Sequence, residues 1–379
     1  MLAAVVIAAV AALIVGVGMS MTSGGGHGPG STRAAAVRHP KQVVRPVVLT
    51  VEASGDLLIH SPVWEAALAA GGGTRYNFAA LFARIKPYIK RVDVPLCHVE
   101  TPMTPAPPTG YPTFNTPPAL APAIHQTGWK ACSTAATHSL DQGQTGIDDT
   151  IRALNHAGVR HAGTYASAAA QRSPLIMTVK GIKVAFLSYT DITNGIPSPH
   201  PWSVNRAQNV RQILAEARRA RHDGARVVIV NIHWGDEDVE QPSAFQMDLA
   251  RRLTASSDIT AIVGQHVHIV QPIRRINGKL VVFGEGNLIS NQTSACCPTA
   301  SQDGLIALLT IVVDARGARV TFVHYVPILV QHPSFVVLPA GTGLRTDPAD
   351  SVALRASYAR TVAAAGRGPQ VQPIPGRLP

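Results

Sequence analysis

Cysteine, charged and aromatic side chains are all scarce in this sequence. Its 379 residues include four cysteines, 15% charged residues and 5% aromatic residues. Four cysteines are too few for a small disulfide-built scaffold, and 46% apolar residues are too many for a disordered chain. The composition also excludes a polytopic membrane protein. The chain is long enough for one large globular domain or two ordinary ones.

Acidic residues are outnumbered by basic ones, 22 to 33, but the surplus lies mainly at the chain ends. Residues 1–45 contain four bases and no acid, and residues 345–379 contain five bases and two acids. The region between them is therefore close to balanced. This distribution predicts no nucleic-acid-binding surface. The basic ends favour weak contact with an anionic envelope or polymer.

The N-terminus is the long uncharged apolar run of the chain. Residues 1–21 read MLAAVVIAAVAALIVGVGMSM and match the length of a bilayer span. Residues 22–45 are rich in Gly, Ser and Pro, which is typical of a linker. We therefore expect a signal peptide or an N-terminal membrane anchor. The protein would then be extracytoplasmic, either anchored to the cell membrane or secreted.

The four cysteines leave open how they pair. Cys97 and Cys132 lie in two predicted strands, where each is an ordinary buried thiol unless the strands are neighbours and allow a bridge. Cys296 and Cys297 are adjacent in a loop, and we expect them to pair elsewhere or not at all.

Residues 46–340 alternate apolar strand patterns with helical patterns, which indicates an α/β domain. The first half predicts parallel βαβ units, with strands at 47–56, 92–100 and 129–138. The second half adds hairpins at 175–191, 268–287 and 305–329. Two packed mixed sheets flanked by helices would hold this many strands. Residues 341–379 read as a C-terminal segment ending in a basic Pro/Gly tail.

Polar side chains follow several of the predicted strands at their carboxyl ends. In parallel sheets, ligands gather beyond these ends. Carboxylates and imidazoles without thiolates suit Zn, Mn or Fe, and we expect one or two divalent ions. Such ions would let a neighbouring histidine, held by a carboxylate, protonate a leaving group. The residues concerned are Asp56, His60, His98, Glu100, His138, Asp141, His233, His266 and His268.

Six segments in order identify a resemblance: GDLLIH, HVETPMT, ATHSLDQG, NIHWGDE, GQHVHIVQP and GEGNLISNQ. Together they resemble the CapA family of poly-γ-glutamate capsule-biosynthesis proteins, which are related to calcineurin-like metallophosphoesterases. The resemblance runs from about Val47 to Asn291. It implies a four-layer α/β/β/α sandwich of two mixed sheets with a metal site at the strand ends.

The resemblance also implies roles for individual residues. Asp56 would bind a metal from the first strand, and Glu100 would be the bridging carboxylate. His138 resembles the general acid, oriented by Asp141. The implied ligands from the later strands are His233, His266 and His268.

Three departures from the family pattern affect the expected ligands. Thr137 stands where the family has a ligating Asn, and His98 stands where it has Asn before x-Glu. Gln265 and Val267 replace His and Pro. We keep His60, His98 and Thr137 among the candidate ligands, with His98 able to supply a compensating imidazole.

Two functions are consistent with these features. The first is an exported metal-dependent hydrolase or transferase acting on a phosphoester, or on an amide bond in an anionic envelope polymer such as poly-γ-glutamate or peptidoglycan peptide. The second is a catalytically degenerate, membrane-tethered protein that binds the polymer or contacts the capsule-synthesis machinery. Thr137 and the basic ends motivate the second.

Overall fold

Two mixed β-sheets face each other in the computed structural model, which describes residues 45–378. The expected N-terminal segment, residues 1–21, lies outside the described residues, as does the linker apart from Arg45. Within the described range, no helix combines the length and apolar character needed to cross a bilayer.

The described residues form strands and helices with the following bounds. The strands are β1 (Val47–Leu57), β2 (Val94–Val99), β3 (Ala131–Ser133), β4 (Arg160–Ala162), β5 (Leu175–Val179), β6 (Ile182–Thr190), β7 (Val227–Trp234), β8 (Ala261–His266), β9 (Ile273–Ile276), β10 (Lys279–Val282), β11 (Asn287–Ile289), β12 (Asp303–Asp314), β13 (Gly317–Val330), β14 (Val337–Pro339) and β15 (Val371–Pro373). The helices are α1 (Ser61–Ala70), α2 (Phe78–Leu81), α3 (Lys86–Lys90), α4 (Leu120–Thr127), α5 (Gly143–His156), α6 (Ala168–Gln171), α7 (Val210–His222), α8 (Ala244–Thr254), α9 (Gly343–Thr346) and α10 (Ser351–Ala365).

The sheet order groups the parallel strands of each sheet side by side. The first sheet runs β14-β13-β12-β1-β2-β3-β4, with β11 added to β1 and β15 added to β13. Here β1 to β4 are parallel, whereas β12 and β13 are antiparallel. The second sheet runs β5-β6-β7-β8-β10-β9, with parallel β6, β7, β8 and β10 between two antiparallel edge strands.

Three apolar layers hold the sheets and helices together. Between the sheets, buried side chains of both meet, such as Val51 and Leu96 of the first and Ile229 and Val263 of the second. Helices α1 to α5 cover the outer face of the first sheet, and α7 and α8 cover that of the second. The result is the four-layer α/β/β/α sandwich of two mixed sheets, so the expected fold class is confirmed.

Two predicted elements are shorter than expected, and both have local causes. The predicted strand at 129–138 is a strand only over Ala131–Ser133. Beyond it, the Ser139 hydroxyl bonds to the backbone of Thr134 and Ala136, and such local bonds compete with a strand ladder. The sequence pattern of residues 78–91 predicts one helix, but two short helices form there, because Pro87 lies in the first turn of the second one and cannot continue the first.

The C-terminal segment packs on the first sheet instead of ending as a tail. Leu354 and Tyr358 of α10 contact Leu329 and Leu338, and β15 pairs with β13. The alanine-rich sequence of α10 has no sharp apolar stripe, so the sequence pattern does not indicate which side of this helix is buried.

The disulfides answer the question left open by the sequence. Cys97 and Cys132 occupy paired positions of the neighbouring parallel strands β2 and β3, and they form a disulfide. Cys296 and Cys297 pair with each other, so the expectation that they pair elsewhere or not at all is wrong. Both of their amides bond to the carbonyl oxygen of Thr293, so a tight turn holds the two side chains together.

Candidate metal centre

The carboxyl ends of strands from both sheets deliver polar side chains to one buried point. Asp56 lies near the end of β1, His98 in β2, His233 in β7 and His266 at the end of β8. Asp56, His98 and His233 have no exposed surface. Gly55 makes this approach possible, because a Cβ there would lie 1.8 Å from the carbonyl oxygen of Gly286.

Asp56, His98 and His233 form what we call the inner group. One donor atom from each lies within 4.8 Å of the others. His98 Nε2 lies 3.6 Å from Asp56 Oδ1 and 3.0 Å from His233 Nδ1. The other ring nitrogen of His98, Nδ1, lies 2.6 Å from the Ser133 hydroxyl, which fixes the orientation of the imidazole. The three side chains therefore offer an anionic oxygen and two imidazoles to one cation.

Glu100 is the strongest indication that a cation belongs here. Its carboxylate is buried, yet neither oxygen has a hydrogen-bond partner among residues 45–378. His233 Nε2 lies 3.7 Å from Oε1, and Asp56, Glu100 and His268 can also surround one ion. Burial and the charge of Asp56 raise the pKa of Glu100 well above its ordinary value. A buried carboxylate with free lone pairs fits a divalent metal.

His268 is held by two acceptors on one side of its ring. Its Nδ1 lies 3.1 Å from Asn287 Oδ1 and 3.3 Å from Asp56 Oδ2. Burial alone would lower its pKa, but the bond to Asp56 and the charge of Glu100 raise it to about 10. Because Nδ1–H donates to these acceptors, Nε2 is the nitrogen that His268 can offer to a metal.

The other three histidines of the cluster have lowered pKa values, which favour neutral imidazoles. Burial lowers the pKa of His98 to about 4, and burial followed by the charge of His268 lowers that of His266 to about 3. The pKa of His233 is also well below its ordinary value, first because of burial. Neutral imidazoles keep the lone pair that coordination requires.

The segment that carries His266 and His268 has an unusual backbone. Their φ angles are 93° and 58°, in the left-handed region that non-glycine residues rarely adopt. The amide of His266 also points to the Asp56 carboxylate, at 3.3 Å from Oδ2. Such conformations persist where surrounding contacts over-determine them, and they cluster at functional sites.

His138 and Asp141 pair beside the cluster, as the sequence predicts. His138 Nδ1 lies 2.8 Å from Asp141 Oδ2, which also accepts the backbone N–H of Phe114 at 2.7 Å. The Phe114 ring packs edge-on against His138, with centroids 4.5 Å apart. This arrangement leaves Nε2 of His138 as the nitrogen available for proton transfer.

The two remaining candidate ligands, His60 and Thr137, differ in their surroundings. His60 belongs to none of the three potential ion-binding groups in the described part of the chain. Its Nδ1 is engaged by backbone, 3.2 Å from the amide nitrogen of Asn291 and 3.3 Å from the carbonyl oxygen of Leu58. Thr137 does reach the cluster, where its hydroxyl lies 2.8 Å from His233 Nε2 and 3.2 Å from His266 Nδ1.

Several nearby polar residues had no role in the sequence analysis. Asn287 was part of the quoted GEGNLISNQ segment, but only its bond to His268 reveals a function. Gln265 turns away from the cluster and donates to Glu285 Oε2 at 2.7 Å. An exposed acid, Glu237, forms a third potential ion-binding group with His266 and His268.

A cavity of about 330 Å³ opens beside the cluster at His266. Of the cluster's candidate ligands, His266 is the one that lines this cavity. Its other lining residues are Asp191, Ile192, Gln208, Gly235 and Phe245.

Comparisons with known proteins show which family this chain resembles. The model of a family described as "Bacterial capsule synthesis protein PGA_cap" matches residues 50–292. The capsule biosynthesis protein CapA of Bacillus anthracis is 27% identical over 256 residues, covering 64% of this chain and 60% of that protein. The PGA biosynthesis protein CapA of Bacillus subtilis is 28% identical, covering 42% of each chain. The chain thus matches three-fifths or less of these relatives.

The solved structures with a similar fold include the following two proteins. A 5'-nucleotidase precursor from Thermus thermophilus is 17% identical with a TM-score of 0.47, covering 84% of this chain and 59% of that one. A calcineurin-like phosphoesterase from Bacillus subtilis is 14% identical with a TM-score of 0.48, covering 82% of this chain and 100% of that one.

Proposed function

The chain belongs to the bacterial capsule synthesis protein family PGA_cap, and from this membership we propose that it is a metal-dependent hydrolase of an envelope or capsule polymer. The observation that carries the proposal is the buried Glu100 carboxylate, without a hydrogen-bond partner among the described residues and surrounded by Asp56 and imidazoles. A purely structural carboxylate at this depth would be paired.

The side chains of the cluster would have different roles in such a reaction. A bound divalent cation, of Mn, Zn or Fe type, would polarise the phosphoryl or carbonyl oxygen of the substrate. Asp56 and Glu100 supply negative charge, and His233, His266 and His268 supply ring nitrogens. His138, oriented by Asp141, donates a proton from Nε2 to the departing oxygen or nitrogen.

The polymer substrate is inferred from the relatives and the chemistry. The matched relatives are named for capsule and PGA biosynthesis. We propose an anionic polymer with phosphoester or γ-glutamyl amide bonds, and contact with capsule-synthesis machinery. The cavity at His266 is where such a chain would approach the donors.

The proposed location is outside the cytoplasm, anchored to the membrane or secreted. Two features support it: the apolar run at residues 1–21 and the Cys97–Cys132 disulfide, since such bonds persist in oxidising compartments. Membrane fractionation and mass spectrometry of the N-terminus would test it. Recovery of the full chain in the cytosolic fraction would contradict the proposal.

The activity is tested by elemental analysis of the purified protein followed by assays with a phosphodiester and a γ-glutamyl polymer. We expect bound transition metal and turnover of one substrate in the wild type, and loss of both in Glu100→Gln. Glu52→Gln is the matched control, because Glu52 is equally buried but bonds to Leu96 and Trp129 outside the cluster. Wild-type metal content and turnover in Glu100→Gln would refute the proposal.

A second function, polymer binding or assembly without catalysis, is favoured by Thr137. Its neutral hydroxyl contacts both His233 and His266, where an ion would need a stronger donor. This alternative predicts polyglutamate binding that weakens with salt and persists in His268→Ala. Loss of all function in that variant would count against it.

A further inference from the structure

Glu237 lies outside the set of ligands that the sequence suggests, yet it reaches the cluster. It follows β7 and Gly235, in a loop that contains four acidic residues. One oxygen of its carboxylate and one nitrogen each of His266 and His268 lie within 4.8 Å of one another. These three side chains, which we call the outer group, share no member with the inner group of Asp56, His98 and His233.

The backbone fixes the loop against the histidines. The amide of Asp238 donates to the carbonyl oxygen of Val267 at 2.9 Å, and Val267 is the residue between His266 and His268. Further along, Gln271 Nε2 donates to the carbonyl oxygen of Val239 at 2.8 Å. The position of Glu237 is therefore set by the same segment that carries the two imidazoles, rather than by the charge of an exposed loop.

The outer group also supplies a negative charge near His266 that a second divalent ion would require. His266 faces the neutral hydroxyl of Thr137 at 3.2 Å, which contributes no charge. Asp56 and Glu100 are the two carboxylates at the buried end, and a second divalent ion requires further negative charge nearby. Glu237 is the carboxylate that the described residues bring to His266 and His268.

We propose that Glu237, His266 and His268 form an outer divalent-cation position, with Glu237 as its anionic ligand. This inference rests on the proposed metal-dependent function, and it gives the cluster two ion positions at different depths. The outer ion would lie on the solvent side, next to the cavity at His266, where a substrate oxygen can reach it.

Mn²⁺ binding, measured by calorimetry and by the electron paramagnetic resonance of free Mn²⁺, tests the assignment without an activity assay. We expect two Mn²⁺ ions per chain in the wild type. Glu237→Gln should weaken the outer ion by roughly tenfold or more while the inner ion stays bound. Glu240→Gln is the matched control, because Glu240 is an exposed acid of the same loop that joins no ion-binding group in residues 45–378.

The outcomes separate this inference from the proposed function. Unchanged Mn²⁺ binding in Glu237→Gln, together with weakened binding in Asp56→Asn, would overturn the outer position alone. A wild type that binds neither Mn²⁺ nor, in the same calorimetric experiment, Zn²⁺ or Fe²⁺ would overturn both. Equal weakening in Glu237→Gln and Glu240→Gln would reduce the effect to general loop charge and would also overturn the assignment.

Discussion

The disulfide between β2 and β3 offers a perturbation whose size follows from the fold. Cys97 and Cys132 are buried in neighbouring strands, and each immediately precedes a residue of the metal centre or its surroundings, His98 or Ser133. Reducing this bond, or replacing both residues in Cys97→Ala/Cys132→Ala, releases the chain segment between them. We expect a large loss of stability without a change of fold, because the strand register is also held by backbone bonds.

The magnitude comes from the length of the closed segment. The two cysteines are 35 residues apart in sequence, and closing a loop of that length in the unfolded chain corresponds to about 4 kcal/mol. The Cys296–Cys297 pair is the internal control. Its residues are adjacent in sequence, so its bond closes almost no loop and contributes little loop-closure stabilisation.

The assay is guanidinium unfolding of oxidised wild type, reduced wild type, Cys97→Ala/Cys132→Ala and Cys296→Ala/Cys297→Ala. Thiol titration by mass spectrometry confirms the redox state of each sample. We expect the free energy of unfolding to fall by about 4 kcal/mol in the reduced protein and in the first variant, and to change little in the second. A loss below about 1 kcal/mol, or equal losses in the two variants, would refute the loop-closure reasoning.

Three further predictions concern particular residues. His138→Gln should slow turnover of substrates with poor leaving groups by about 10²–10⁴-fold, but spare p-nitrophenyl substrates and metal content; equal slowing of both substrate types would contradict a proton-donor role. Gly55→Ala should destabilise the fold by about 3 kcal/mol or more in a melting experiment, because its Cβ would meet the Gly286 carbonyl at 1.8 Å. Gly368→Ala, with no described atom within 4 Å of its Cβ, should stay within about 0.5 kcal/mol of wild type, and similar losses would refute the clash. Burial raises the pKa of Glu52 to about 8, so folding takes up a proton and the stability from this group, complete below pH 4.5, is lost as pH rises through 8. Glu52→Gln should therefore gain on wild type by up to about 1.4 kcal/mol per pH unit between pH 5 and 8, and parallel stability curves would contradict this.

The sequence was most informative where local pattern and site coincide. Asp56, His98, His233 and His266 end apolar strand patterns, and parallel strands bring such ends together, so their convergence could be predicted before any coordinates. The resemblance to the CapA family, read from six motifs in order, is confirmed by the family match over residues 50–292.

The parts that the sequence could not predict depend on distant or irregular contacts. The Nδ1 atom of His60, a candidate ligand, contacts the amide of Asn291, which is 231 residues away in sequence and which no local pattern connects with it. His138 was assigned to a strand and lies in a turn that hydroxyl bonds create. Glu237 looked like any other acid in an exposed run, and only the bond between Asp238 and Val267 distinguishes it.

The packing of the C-terminal segment was missed for a different reason. Helix α10 is rich in alanine, and a helix of small side chains buries surface without a periodic pattern of large ones. Its contact with Leu329 and Leu338 is decided by the shape of the first sheet, which no local window of sequence contains.

The donors of the metal centre are divided between the two sheets, and this division has a mechanical consequence. Asp56 and His98 belong to one sheet, whereas His233 and His266 belong to the other. An ion bound by donors of both sheets would link the two sheets. Movement of one sheet relative to the other would then lengthen metal–ligand distances. Metal binding would then stabilise the packing of the two sheets, and loosening that packing would weaken metal binding.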